Sequence, residues 1–228
     1  MTDRESFRAQ AVEILRQEIP EDLEWLPWGD VPPMRWSGGG EPVEELIPRG
    51  WLVAAARRDE PQPDAELRRQ AALFERGDAA RLGAWLLRTW IEHDTAVPEL
   101  GEARKAELRA IAERPAELAR RFGRGGTDPE ERYQELLAQE ANRPVASALP
   151  HRGLLAVVAA CADDSVVAEV ERYLEAWHRE RPEQCRTLLA MLSWIEDHAA
   201  ADLLSSARRF PELREAAGEL VRARSARE

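Results

Sequence analysis

The sequence predicts an all-α protein whose C-terminal half stacks antiparallel helix pairs in the manner of a HEAT-like α-solenoid. Three observations lead there. Apolar residues recur at helical spacing along most of the 228-residue chain, and no stretch shows the period-2 alternation of a half-buried strand. In the last third, the patterned stretches run about 10–17 residues with joints of about two to four, which forces antiparallel neighbours. A hydrophobic fraction of 44% is enough to bury a core without disulfide staples.

Residues 3–18 read as a first helix, with Phe7, Ala11, Ile14 and Leu15 on one stripe and Pro20 ending it. The texture then changes over residues 24–42, where WLPWGDVPPMRWSGGGEP carries four prolines and four glycines from Trp25 to Pro42. No regular element survives that composition. Trp25, Trp28 and Trp36 mark it as an ordered loop, because a solvated linker would not carry indoles. Helical patterning resumes near Val43 and runs to about Arg57, with Pro48 as a boundary or kink. Asp64 is positioned to cap a helix to about Arg76, and Asp78 to cap the next, AARLGAWLLRTWIEH. The broad apolar face of that helix, Leu82, Trp85, Leu86, Leu87, Trp90 and Ile91, makes it the expected centre of the N-terminal half.

Beyond Pro98 a charged helical pattern passes through Leu108, Ile111, Leu118 and Phe122, with an expected interruption at Pro115. GRGG at 123–126 is the clearest internal boundary, separating an N-terminal helical half, 1–122, from C-terminal repeats, 128–228, within what reads as one continuous domain. Asp128 then serves as N-cap, with Pro129 at the first helical position and Glu131 closing a capping box. Five helices follow. HRGLLAVVAACA is the first and Asp163 or Asp164 starts the second; Pro182 opens a third, His198 leads into a fourth, and Pro211 opens a fifth. LLRTWIEHD, YLEAWHRER and LAMLSWIED share a faint aliphatic-Trp-charged texture, a weak sign of internal repetition.

Composition narrows the function. No apolar run is long enough to cross a bilayer, and MTDRESFRAQ lacks a signal-peptide core, so the cytoplasm is the expected compartment. Cys161 and Cys185 both fall on apolar stripes and read as buried free thiols. The net charge of −11 opposes duplex binding, which needs a positive footprint. Basic residues are one lysine, Lys105, and 31 arginines.

Motifs for chemistry are sparse. Glu175 and His178 form a single E-x-x-H pair, whereas a di-iron carboxylate bundle needs two. The cysteines lack zinc-ligand spacing, and Cys161 lies too deep in an apolar run to act with His151 as a nucleophile. GRGG has neither the lysine nor the preceding strand of a phosphate loop. No cofactor, metal or catalytic residue is expected. The candidate binding residues are therefore Trp25, Trp28 and Trp36, as cap of the helical stack or as recognition loop; His93 and Asp94 at the end of a Trp-rich helix; and the basic cluster Arg120, Arg121 and Arg124. A second basic group, Arg208, Arg209, Arg222, Arg224 and Arg227, lies near the end.

The succession of LPWGDVPPMRWSGGG, LGAWLLRTWIEHD and CRTLLAMLSWIEDHAAADLL resembles the helical region of the bacterial MolR-like family, over residues 24 to about 210. These are large proteins of unknown function, often with a WGR domain that this shorter chain does not show. The resemblance implies HEAT-like helices and a loose link to molybdate regulation, and supplies no catalytic residues. The leading expectation is a non-catalytic interaction or scaffold module, its acidic charge suited to a partner with a basic face. The alternatives are an enzyme with a small-molecule pocket near Trp90–Asp94, or nucleic-acid binding along an arginine-lined concave face.

Overall fold

The computed structural model describes residues 3–15, 19–96, 102–121, 128–141 and 151–227. Among them are eleven α-helices: α1 (Asp3–Leu15), α2 (Leu46–Ala56), α3 (Ala65–Ala71), α4 (Arg76–Thr95), α5 (Glu102–Arg121), α6 (Pro129–Ala141), α7 (Arg152–Cys161), α8 (Asp164–Trp177), α9 (Pro182–Leu192), α10 (His198–Ser206) and α11 (Arg214–Ser225). The described residues contain no strand, only the isolated bridges Arg35–Pro42 and Trp36–Phe74. None of the described helices is long and apolar enough to cross a membrane.

Side-chain caps set many of the starts. The carboxylate of Asp64 accepts the Leu67 N–H at 2.7 Å, Asp163 that of Ser165 at 3.0 Å, Asp197 that of Ala199 at 2.7 Å, and Asp128 that of Glu130 at 3.0 Å. Each satisfies one donor that a helix start leaves open. Pro182 occupies the first turn of α9, where its missing N–H costs nothing.

Several boundaries differ from the sequence expectation. α3 stops at Ala71 because the chain beyond it pairs with the Trp/Pro loop: Ser37 N–H donates to Leu73 O and Glu75 N–H to Arg35 O, both at 2.8 Å. α4 consequently begins at Arg76, so Asp78 lies inside its first turn rather than capping it. Pro48 sits in the first turn of α2, where no intrahelical N–H is needed, and α5 continues across Pro115. Pro211 opens no helix; a 3₁₀ turn, Ala207–Arg209, and an irregular turn precede α11.

The chain forms two compact units: Met1–His93 with Ala148–Glu228, and Asp94–Ser147. They divide the sequence at places other than the glycine-rich stretch, which lies outside the described residues. The second unit is the α5–α6 pair, closed over Leu108, Ala112 and Tyr133 with Leu136 and Leu137 partly covered. The first holds a single continuous core with α7 at its centre. α7 is buried from Gly153 to Ala159 and again at Cys161, and packs against α2, α3 and α9. Leu154, Leu155, Val157 and Val158 each contribute about 1.5–3 kcal/mol by leaving water. α4 meets α7 where Gly83 faces Cys161, but its Trp85 and Ile91 remain only half-buried.

Candidate functional site

The structure turns the tryptophans of the 24–42 loop inward. Trp36 is buried and stacks on Phe74 with centroids 5.6 Å apart, and the edges of both meet Phe7. Trp51 closes this four-ring cluster and donates its indole N–H to Gln70 Oε1 at 2.8 Å. Trp28 donates to Leu23 O at 3.2 Å, in the turn just before the loop. Trp25 stacks on His93 at 5.1 Å, so two of the sequence candidates meet. Positive φ at Gly38 and Gly40 permits the tight return after Trp36. Arg35 then pins the loop to α4, donating Nε and a terminal nitrogen to the Asp78 carboxylate at 2.9 and 3.0 Å. These Arg35 bonds hold the buried Asp78 carboxyl below the usual carboxylate range; burial opposes them, and Arg81 reinforces them.

Around Trp90 the geometry offers little room. Its indole N–H is buried without a hydrogen-bond partner among the described residues, beside a void of about 10 Å³ bounded by Trp25, Leu86, His151, Leu154 and Val158. A volume of that size admits about one water, not an organic substrate. His93 is exposed apart from its Trp25 contact, and Asp94 is buried. Arg120 and Arg121 lie in α5 with side chains outside the described residues, as does Arg124 entirely.

The remaining polar candidates are engaged structurally. Glu175 pairs with Arg209 at 2.8 Å, while His178 stacks on Phe210 and places its Nδ1 3.2 Å from Glu212 Oε2. Both contacts fasten α8 to the chain between α10 and α11. The Cys161 thiol is pushed up to about 12 by burial, so at neutral pH it carries no thiolate character. No three His, Cys, Asp or Glu side chains among the described residues converge as a metal site.

Two surface features were missed at the level of sequence. The first is a groove of about 490 Å³ along α4, floored by Gly77, Ala80 and Ala84. Half-buried Trp85 forms one wall, and Pro32 and Pro33 of the loop the other. Arg81 and Arg88 flank Trp85 on the helix, 58% and 60% exposed, the first paired with Asp78 and the second with Glu169 at 3.5 Å. The signal was legible as small residues at helical spacing beside a Trp, but Trp85 counted as core because its neighbours Leu82 and Leu86 are core.

The second feature is a cleft of about 520 Å³ at the α9–α10 connection. Arginines from α3 and from the end of the chain clasp the carbonyls of this turn. Arg68 donates to Trp194 O at 3.1 Å, Arg224 to Ile195 O at 2.6 Å and Asp197 O at 3.1 Å, and Arg227 to Ser193 O at 2.9 Å. The Arg227 guanidinium also lies 3.6 Å from the centroid of the Trp194 ring. Guanidiniums suit this place because the carbonyls of Ser193, Trp194, Ile195 and Asp197 lie in the turn beyond α9, outside the helix's own hydrogen bonding, and accept from cationic donors. The sequence shows Arg224 and Arg227 as a cluster but gives no sign that Arg68, 126 residues before Trp194, joins them.

No protein-family model matches the chain, and comparisons with curated proteins and with solved structures find no match either.

Proposed function

We propose that the chain is a non-catalytic protein-interaction module of a bacterial cytosolic complex, built from HEAT-like helix pairs of the kind found in the MolR-like family. The observation that carries this reading is the α4 groove. Its floor of Gly77, Ala80 and Ala84 lets another backbone approach closely, and Trp85 supplies the kind of large, half-exposed anchor that dominates interface energetics. Asp78 is shared between Arg35 and Arg81, and Glu169 between Arg172 and Arg88, so the arginines beside the groove are only partly compensated while its small residues favour shape and apolar contact. The surrounding surface, with the chain's net charge of −11, suits a partner whose face is basic around that contact. An arginine-lined nucleic-acid surface would have to work against the chain's net charge of −11, which is the wrong overall sign for displacing counterions from a phosphate backbone.

The test is a nuclease-treated affinity capture from the native host, run in parallel with wild type and a Trp85→Ser variant. One stoichiometric protein that co-elutes with wild type and is lost from the variant is the expected result. An eluate without a partner, or one whose partner is indifferent to Trp85, overturns the assignment.

A further inference from the structure

The arginine-clasped turn has features that capping alone does not require. Capping a helix end takes one cationic side chain, yet here Arg68, Arg224 and Arg227 arrive from separate parts of the chain. They border an open cleft of about 520 Å³ with the half-buried Trp194 in its wall. Arg68 keeps 37% of its side chain exposed, and Arg227 is exposed as well. Each guanidinium carries five N–H donors in a fixed fork, more than the carbonyl bonds of Arg68 and Arg227 employ. Among the residues lining the cleft, the three arginines outnumber the carboxylates of Glu196 and Asp197, on a chain that is strongly negative overall.

Glu196 shows what such a cleft would hold. Its carboxylate rests 3.4 Å from Arg68 while its side chain is 85% exposed, a loose contact at the rim. An exposed pair of this kind contributes little to stability, roughly 0–1 kcal/mol, and is readily displaced. Asp197, by contrast, is occupied as the cap of α10.

We propose that this cleft binds an acidic segment of a partner protein, whose carboxylates displace Glu196 from Arg68 and whose apolar side chains lie against Trp194. An extended peptide fits better than an isolated phosphate, because the ring wall gives it apolar contact that an inorganic anion cannot use. The proposal rests on the interaction-module reading but uses a different surface, so the Trp85→Ser capture result and the cleft test fail independently.

The experiment measures fluorescence anisotropy of a labelled peptide of alternating Glu and Leu, against its Gln/Leu counterpart. Wild type is expected to bind the acidic peptide in a salt-sensitive manner and not the neutral one. Arg68→Gln and Arg227→Gln should each weaken binding about tenfold or more. Glu196→Gln should tighten it severalfold, and this exposed substitution keeps the test valid should an arginine variant unfold. Equal binding of the neutral peptide, no binding of the acidic one, or weaker binding by Glu196→Gln would each overturn the proposal. So would full displacement of the peptide by inorganic phosphate at low millimolar concentration, which would show a generic anion site.

Discussion

A methyl group added at Gly153 would stand 2.8 Å from the carbonyl carbon of Ala55 and closer still to its oxygen, where α7 crosses α2. Gly50 stands in the same relation to Ala11, 2.7 Å from its carbonyl carbon, at the crossing of α1 and α2. Helix propensity alone favours alanine over glycine by about 1 kcal/mol in a helix interior. Against this, the obstacle at Gly153 is backbone rather than a mobile side chain, so relief requires one helix to shift against a packed core, at about 1–3 kcal/mol or more. The overlap wins. Gly153→Ala is expected to lower stability in chemical unfolding despite its better propensity. Gly218→Ala on α11, where the nearest atom is the end of Arg222 at 3.7 Å, should raise it by about 0.4–1 kcal/mol. A stabilised Gly153→Ala would show that the two helices do not approach as described.

Elements in this protein are legible from sequence where one local rule decides them, and illegible where a distant segment does. The start of α8 at Asp163 and that of α6 at Asp128 follow from a capping carboxylate beside an apolar stripe. The end of α3 was misjudged because Leu73 and Glu75 leave the helix to bond Ser37 and Arg35, more than thirty residues back. The same segment explains the loop. Its tryptophans were recognisable as ordered, but nothing in their spacing indicates that Trp36 joins Phe7 and Phe74 or that Arg35 reaches Asp78. The Arg35–Asp78 pair is the polar fastening between loop and helix, and it has a pH signature. The carboxyl of Asp78 is depressed in the folded state, so its stabilising effect is complete above the ordinary range of about 4 and is lost as the pH falls through the lower folded value. Asp78→Asn should therefore cost about 1–2 kcal/mol at neutral pH, and the gap from wild type should narrow as the pH falls below the ordinary carboxylate range of about 4. Thermal unfolding of both proteins across that range checks this; a gap that stays constant with pH would remove the ion pair from the account.

At the scale of the molecule, the described residues of the two units differ sharply in how much apolar surface they bury. The first unit buries α7 from Gly153 to Ala159 and packs it against α2, α3 and α9 in one continuous core. The second, spanning 94–147, has Leu108, Ala112 and Tyr133 as its buried centre among the described residues, with Arg109 over the Tyr133 ring at 4.7 Å. Burial of those three side chains yields on the order of 5 kcal/mol. Opening of α5 and α6 should consequently occur at a lower free energy than opening of α7 or α9. Native-state hydrogen exchange read by mass spectrometry separates the cases. Peptides from α5 and α6 are expected to exchange at least about 100-fold faster than those from α7 and α9, a difference of about 2.8 kcal/mol in opening. Added mild denaturant should bring the slow peptides toward the fast ones, because only the larger opening exposes the core of the first unit. Equal protection in all four helices, with a common denaturant dependence, would mean that the small unit is held by more than Leu108, Ala112 and Tyr133.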